Sequence, residues 1–375
     1  MKEEVFPASY EASRERFRQD LALIQRGWPD ARLQSHPVGG DEKLTIDWIT
    51  AEPLTSDRKL LIFTTGEHGI EGYAGSALLQ LFVEEFLPRL DPHTTGLLIV
   101  HAINPWGMKH RRRTNAANVD LNRNFLWDAT EFDPSFNPEY ARLAPLLNPH
   151  GPIRNLSLSS LEFGVRLLWG LLNFGTPTLR KASVLGQYVF PQGIYYGGPT
   201  WQEETRLLMD LYRTHINQHE HIVHLDMHTG YGPRYQMSLV KSYLEPTDSA
   251  EFARRFSYPW VVKANPDEFY SIQGDMIDYV YTLVKNEFPG KRLYSTSFEF
   301  GTYGSSTAEV LRSLRAKVLE NQLNWFGAAS ASLREHIQHG FQELFLPQEP
   351  LWQEKAVENA RRAFDGILRA EGFTA

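Results

Sequence analysis

The segment LLIFTTGEHGIEGYAGSALLQLF, Leu60–Phe82, contains an apolar run, a polar turn and a helix-like pattern in succession. The apolar run ends in small residues and predicts a buried strand, and the regular return of leucine and phenylalanine after the turn predicts a helix. The turn itself, GEHGIEG, sets Glu67, His68 and Glu71 between the two elements. Three titratable side chains at a strand-to-helix junction indicate either a charged turn or part of a metal site.

The alternation of strand and helix patterns continues along most of the chain. Further strands are predicted at Gly96–Pro105, His221–Gly230 and Arg292–Gly304, and helices at Tyr10–Ile24, Trp201–His219, Thr307–Phe326 and Val357–Ala370. This pattern predicts an α/β fold, with a doubly wound, mixed but largely parallel sheet and helices on both faces. We expect one domain over residues 1–375. The segment rich in Pro and Gly at about residues 126–195 breaks the alternation, and we interpret it as an insertion that forms a lid or rim.

Composition narrows the classes of function. The chain has 375 residues and a net charge of −7, which argues against nucleic acid or an acidic membrane as a partner. It has no cysteine, so disulfides, thiolate ligands and a cysteine nucleophile are excluded. The N-terminus lacks an apolar signal region, and no apolar run reaches the roughly 20 residues of a membrane span. A cytoplasmic protein is therefore expected, and its oligomeric state stays open.

Ligands of doubly wound sheets bind beyond the carboxyl ends of the strands, and polar residues follow several predicted strands here. A His-x-x-Glu pair, His68 and Glu71, follows the first of these strands, and imidazole and carboxylate are both zinc ligands. A second histidine is needed, and His228 is favoured because it lies at the carboxyl end of its strand. Four other histidines compete as surface or core residues: His215, His219, His221 and His224. Asp226 and Asp120 are candidates to accept the second N–H of the metal-bound imidazoles.

Two further stretches carry candidate chemistry. Glu299 lies in the apolar run STSFEFGTYG, where burial would raise the pKa of its carboxyl and suit it to act as a general base. The alternative is an edge-strand glutamate facing water. The stretch Ile103–Phe125 holds three consecutive arginines and the string NVDLNRNF, and arginine is well suited to clamp a carboxylate or an oxyanion. A solvated basic loop is the alternative there.

Taken in order, these motifs resemble the zinc carboxypeptidases of the carboxypeptidase A type. EHGIEG looks like the family's H-x-x-E zinc motif, and NVDLNRNF like its D-x-N-R-N-[FW] motif. LDMHTG is similar to the segment with the third ligand, and SFEFGTYG to the segment with the catalytic glutamate. Within the family, the motifs are most similar to bacterial members related to the aspartoacylase-like and succinylglutamate desuccinylase-like deacylases.

The resemblance implies a role for each matching residue. His68, Glu71 and His228 would bind one zinc ion, with Asp120 orienting His68. Glu299 would be the general base. Arg112 would stabilise the oxyanion, although the three adjacent arginines leave Arg111 and Arg113 open. Residues implied to bind the substrate are Asn122, Arg123, Tyr270 and Ile277, the last two in a loop similar to the family's Y-x-x-x-G-x-x-I-D.

The motifs therefore predict a metallocarboxypeptidase-type hydrolase, in which zinc-activated water cleaves a peptide or amide bond beside a free carboxylate. The substrate would be a small molecule or a short peptide, because the insertion narrows the entrance. Two alternatives stay open: an N-acyl amino acid deacylase of the aspartoacylase kind, and a binding protein that kept the fold without turnover. No G-x-S-x-G elbow or phosphate-binding P-loop motif is present in the sequence.

Overall fold

The structure is a computed structural model that describes residues 5–55, 58–264 and 272–374. In these residues the strands are β1 (Arg32–Val38), β2 (Asp41–Ala51), β3 (Lys59–Thr65), β4 (Thr95–His101), β5 (His221–Thr229), β6 (Met237–Lys241), β7 (Val261–Lys263) and β8 (Arg292–Phe300). The helices are α1 (Tyr10–Ile24), α2 (Gly72–Glu85), α3 (Pro105–Lys109), α4 (Pro138–Leu147), α5 (Leu156–Val184), α6 (Glu203–Gln218), α7 (Ser249–Arg255), α8 (Met276–Glu287), α9 (Thr307–Phe326), α10 (Ala331–Phe345) and α11 (Pro350–Ala370).

The strands form one sheet in the order β1-β2-β4-β3-β5-β8-β6-β7. The four central strands β4, β3, β5 and β8 are mutually parallel, while β2 is antiparallel to β4 and β6 is antiparallel to β8. The predicted fold class, a mixed and largely parallel α/β sheet, is confirmed.

Helices cover both faces of the sheet because alternate side chains of each central strand point to opposite sides. On β3, Leu61 and Phe63 join the core that α1, α2 and α11 close. Leu60 and Ile62 point the other way, into the core that α6 and α8 close. Strands buried on both faces read as continuous apolar runs, which is why KLLIFTT showed no alternation.

The region interpreted as an insertion contains α4 and α5. Both pack against α9 in a cluster that includes Leu143, Leu147, Leu179 and Val318. Within α5 the backbone of Gly175 has φ = +73°, so the helix is interrupted there. Across the described helices, none is at once long enough and apolar enough to cross a bilayer.

The parallel register brings the carboxyl ends of β3, β5 and β8 to the same edge of the sheet. Thr65 of β3 pairs with Met227 of β5, and His228 of β5 pairs with Glu299 of β8. The residues that follow β3 therefore lie beside the last residues of β5 and β8. This edge gathers most of the candidate residues named above.

Candidate metal centre

The first two candidate ligands lie in a tight turn between β3 and α2. His68 precedes a single 3-10 turn, Gly69–Glu71, which continues directly into α2. Close packing shapes this turn: a Cβ added to Gly69 would lie 2.1 Å from the backbone carbon of Gly107. The backbone N–H groups of Gly69 and Ile70 donate to the carbonyls of Arg113 and Arg112, at 3.2 and 2.9 Å. The basic segment and the His-x-x-Glu turn are thus held together by main-chain hydrogen bonds.

The ligand atoms of His68, Glu71 and His228 face one another. The Nδ1 atoms of the two histidines are 3.2 Å apart. His68 Nδ1 is 3.0 Å from Glu71 Oε1, and His228 Nδ1 is 3.3 Å from Glu71 Oε2. All three side chains are buried. Two imidazoles and one carboxylate converge, with donor separations of 3.0–3.3 Å.

The opposite nitrogen of each imidazole contacts a buried carboxylate. His68 Nε2 lies 3.1 Å from Asp120 Oδ1, and His228 Nε2 contacts Asp226 Oδ2. Burial opposes ionisation of both aspartates, but neighbouring positive groups lower the pKa of each below its usual value. An ionised carboxylate only accepts, so each imidazole donates from Nε2, and Nδ1 of a neutral ring then carries a lone pair.

Polar contacts along one face of the sheet hold Asp226 in place. Thr64 Oγ1 donates to Asp226 Oδ1 at 2.6 Å and lies 2.9 Å from His224 Nε2. The other ring nitrogen of His224 is 2.9 Å from Ser295 Oγ. Both ring nitrogens of His224 therefore have partners within this buried network. The network orients Asp226 and, through Asp226, His228. His215, His219 and His221 have other contacts, with Glu52 near the first two and Glu371 near the third.

These donors fit a zinc ion. Zinc takes imidazole nitrogen and carboxylate oxygen at about 2.0–2.2 Å in tetrahedral geometry, which places neighbouring ligand atoms about 3.4 Å apart. Histidines that bind zinc usually donate their other N–H to a carboxylate, as His68 and His228 do here. Burial opposes protonation of His228, but the Asp226 and Glu71 carboxylates raise its pKa well above the usual value. The carboxylates on both sides of this ring thus favour positive charge at His228.

A second carboxylate, Glu67, lies on the other side of His228. Its side chain is fully buried, neither oxygen has a hydrogen-bond partner among the described residues, and Oε2 is 3.5 Å from His228 Nε2. Glu67, His68 and His228 also offer donor atoms within 4.8 Å of one another. However, Glu67 faces the ring nitrogen that Asp226 already occupies, whereas Glu71 faces the nitrogens that carry lone pairs. Glu71 is therefore the better carboxylate ligand.

Of the three consecutive arginines, Arg113 is the one whose side chain contacts a candidate metal ligand, Glu71. Its Nη1 donates to Glu71 Oε1 at 2.9 Å, and its Nε donates to Asp120 Oδ2 at 3.1 Å. Arg112, the arginine that the resemblance implied for the oxyanion, makes its contacts elsewhere. Arg112 donates to Glu320 Oε1 at 2.8 Å and to Asn118 Oδ1 at 3.1 Å, in a buried network that also includes Asn321.

Backbone conformation separates the three arginines. Arg111 has φ = +52°, a left-handed conformation, and Arg112 N donates to the carbonyl of Gly107. The chain therefore reverses after α3 and carries Arg113 towards Glu71. Arg111 stacks on the ring of Tyr73 and donates to Gln342, away from the candidate ligands.

Glu299 lies beside His228 at the end of β8. Its Oε1 accepts from the backbone N–H of Tyr231 at 2.9 Å, and the side chain is 5% exposed. Burial, followed by the nearby Glu71 carboxylate, raises the pKa of Glu299 to about 8. A carboxyl with this pKa can exchange a proton near neutral pH.

The residues expected to bind a substrate carboxylate are largely enclosed. Arg123 is 1% exposed: its Nη1 lies 3.3 Å from Asp120 Oδ2, and its Nη2 donates to Val184 O at 2.8 Å. The ring of Tyr195 covers its guanidinium at 4.7 Å. Asn122 Oδ1 accepts from Met276 N at 3.0 Å and so fastens the start of α8 to this loop.

The two residues of the resembling loop have different outcomes. Tyr270 lies outside the described residues. Ile277 is buried in the first turn of α8, next to the Met276 that Asn122 holds. Tyr195 is a site neighbour that sequence reasoning missed. It lies at the end of the insertion, where no recognisable motif marked it.

One protein-family model matches most of this chain. The model of the family described as "Protein of unknown function (DUF2817)" matches residues 6–359. No curated protein matches the sequence.

Several solved structures are similar to this chain. A carboxypeptidase A from Helicoverpa armigera has 13% identity and a TM-score of 0.46, over 98% of this chain and 78% of that one. A metallo-carboxypeptidase from Burkholderia cenocepacia has 15% identity and a TM-score of 0.38, over 88% and 67%. An aspartoacylase family protein from Mesorhizobium loti has 17% identity and a TM-score of 0.37, over 78% and 66%.

Proposed function

The chain belongs to the DUF2817 family, and we propose that it is a metal-dependent hydrolase that cleaves an amide bond beside a free carboxylate. One observation carries the proposal: the Nδ1 atoms of His68 and His228 meet at 3.2 Å with the Glu71 carboxylate beside both. Two imidazoles and a glutamate form a common ligand set of catalytic zinc in hydrolases. Zinc held there would polarise a carbonyl and lower the pKa of a coordinated water.

Glu299 is the proton carrier in this scheme. Its strand position opposite His228 puts its carboxyl next to the ligands. It takes a proton from the attacking water and later delivers it to the leaving nitrogen. Burial supports both steps, because a carboxyl with a raised pKa is a stronger base and also a usable acid near neutral pH.

Arg113 takes the role that the sequence motif first suggested for Arg112. Its guanidinium lies between Glu71 and Asp120, at the ligands, and its side chain is 14% exposed. A planar guanidinium at this position is suited to stabilise the negative oxygen that develops on the substrate carbonyl. Arg112 is held by Glu320 and Asn118 and serves the structure instead.

The enclosure of Arg123 favours a small substrate. A Cβ on Gly186 would lie 2.7 Å from Arg123 Cγ, and Val184 and Tyr195 contact its guanidinium. All three residues belong to the insertion or its end, which therefore closes over the side where a substrate carboxylate would bind. An N-acyl amino acid fits this enclosure better than a long peptide, so deacylation of such compounds is the second candidate function.

A Glu299→Gln variant tests the proposal. We expect it to keep its bound metal and to lose about 10²–10³-fold or more in kcat on N-acyl amino acids or short peptides. Glu335→Gln, an exposed and isosteric change on α10, should leave turnover unaltered.

The same substrate panel separates the candidates. Turnover of N-acyl amino acids without any dipeptide or tripeptide would select the deacylase. If the zinc-loaded wild-type protein hydrolyses neither class, or if Glu299→Gln turns over at the wild-type rate, the proposal is wrong.

A further inference from the structure

One face of α5 is covered by large apolar side chains that point into solvent. Leu158, Leu161, Val165, Leu168, Trp169 and Leu172 are each 49–78% exposed. Their spacing of three and four residues places them on one side of the helix. We call this set the α5 stripe.

The α5 stripe does not face the core of its own chain, because the opposite face of α5 packs there. Phe163, Leu167, Leu171 and Phe174 point inward and join the cluster formed with α4 and α9. The stripe is thus a fixed surface. Single exposed apolar residues are common, but a continuous run of six marks a contact surface.

Five of the six stripe residues are placed symmetrically about Val165, and the sixth, Leu168, would lie opposite Glu162 of the other copy. Leu158 lies seven positions before Val165 and Leu172 seven after it, while Leu161 and Trp169 lie four before and four after. Two copies of the stripe, packed antiparallel, would therefore set Val165 against Val165 and Leu158 against Leu172. A surface that is complementary to itself is what a two-fold interface requires.

We propose that the α5 stripe pairs with the same stripe of a second copy of this chain, antiparallel, with the two-fold axis at Val165. The six side chains are 49–78% exposed, and burying most of that surface on both copies would bring the pair to about the lower end of the 1,200–2,000 Å² that stable interfaces bury. Gly164, next to the axis, has open space where a Cβ would be, so the two helices can approach closely.

The charge of this part of α5 argues against an anionic lipid surface as the partner. Helices that lie on membranes carry Lys and Arg on their polar face. From Leu156 to Leu179 the only charged residues are Glu162 and Arg166, which pair with each other at 3.6 Å. This part of α5 therefore has no net charge to attract anionic lipid.

Disulfide trapping tests the register directly, because the natural chain has no cysteine. Under mild oxidation of the full chain, Val165→Cys should form a covalent dimer in high yield. Leu158→Cys alone should not, because its two copies would lie about 21 Å apart along the helices. A mixture of Leu158→Cys and Leu172→Cys should cross-link to each other. Leu351→Cys, also exposed but on α11, is the background control.

Mass measurement in solution completes the test. Wild-type protein at tens of micromolar should have twice the 43.1 kDa chain mass. Val165→Glu should weaken dimerisation at least 100-fold because it buries two like charges at the axis, while the variant still melts in one cooperative transition at the temperature expected of the monomer. The proposal is overturned if the wild-type chain is a monomer, or if Leu158→Cys cross-links to itself as readily as Val165→Cys. It is also overturned if the stripe binds anionic vesicles instead.

Discussion

The Nδ1 atoms of His68 and His228 lie 3.2 Å apart, although the residues are 160 positions apart in sequence. If both rings were neutral, the lone pairs on the two Nδ1 atoms would point at each other and repel. A positively charged species between the two atoms would remove this repulsion. Carboxylates behind both rings and Glu71 in front supply the negative charge that such a species needs. A metal ion and a shared proton both satisfy the geometry, and only the metal gives the site its proposed chemistry.

Variants of Arg113 and Arg112 are expected to differ in their effect on catalysis. Arg113→Lys keeps the charge but loses the planar fork, so kcat should fall about 100-fold, and the lost hydrogen bonds to Glu71 and Asp120 should also cost stability. Arg112→Lys should keep kcat but cost about 1–3 kcal/mol in the free energy of unfolding, because buried partners lose hydrogen bonds. Steady-state kinetics and urea unfolding of both variants check this. A stable Arg112→Lys protein that loses turnover would restore Arg112 to the active site.

Gly69 should be irreplaceable because a Cβ there meets the backbone of Gly107 and Met108 at 2.1–2.4 Å. Gly69→Ala must displace α3 or the turn with the ligands, at a cost of about 3 kcal/mol in unfolding free energy. Gly340→Ala is the matched control. A Cβ there meets nothing, so the helix should gain about 0.5–1 kcal/mol. Equal unfolding midpoints in urea for the two variants would contradict the tight packing of this turn.

Asp20 should make stability depend on pH. Burial raises the pKa of its carboxyl to about 7 in the folded chain, against about 3.9 when unfolded. The folded state therefore binds the proton more tightly, and stability falls as pH rises from about 4 to 7. Asp20→Asn should remove this loss. Its free energy of unfolding should exceed that of the wild type by about 2–4 kcal/mol above pH 8 and by little at pH 4. Asp210→Asn, an exposed change on α6, is the control and should leave the free energy of unfolding unchanged at both pH values. Parallel stability curves for wild type and Asp20→Asn would contradict the raised pKa.

The central sheet was predictable because its strands are buried on both faces and end in small residues. The helix α1 has the predicted bounds, and β3, β5 and β8 lie where the apolar runs indicated. The hairpin of β1 and β2 went unassigned, although Gly39 and Gly40 mark its turn. Edge strand β1 has only exposed and half-buried residues and contains Pro37, so neither alternation nor an apolar run identifies it.

The candidate site was only partly readable from sequence. The closeness of the strand-end residues His228 and Glu299 could be predicted, because local patterns indicate a parallel sheet in which the strand ends meet at one edge. The choice among three identical arginines does not, since it depends on a left-handed Arg111 and a chain reversal that composition cannot reveal. Nor could the closeness of Glu67 to His228 be foreseen, because the tight turn after β3 sets the direction of that side chain.

Metal content tests the account most directly. Protein purified without chelators, loaded with zinc and dialysed, should contain about one ion per chain by elemental analysis. His68→Ala and Glu71→Gln should lose it, whereas Glu67→Gln should keep it, because Glu67 faces the ring nitrogen that Asp226 occupies. A folded wild-type chain that retains no metal, or a Glu71→Gln chain that binds it as tightly as wild type, would contradict the assignment.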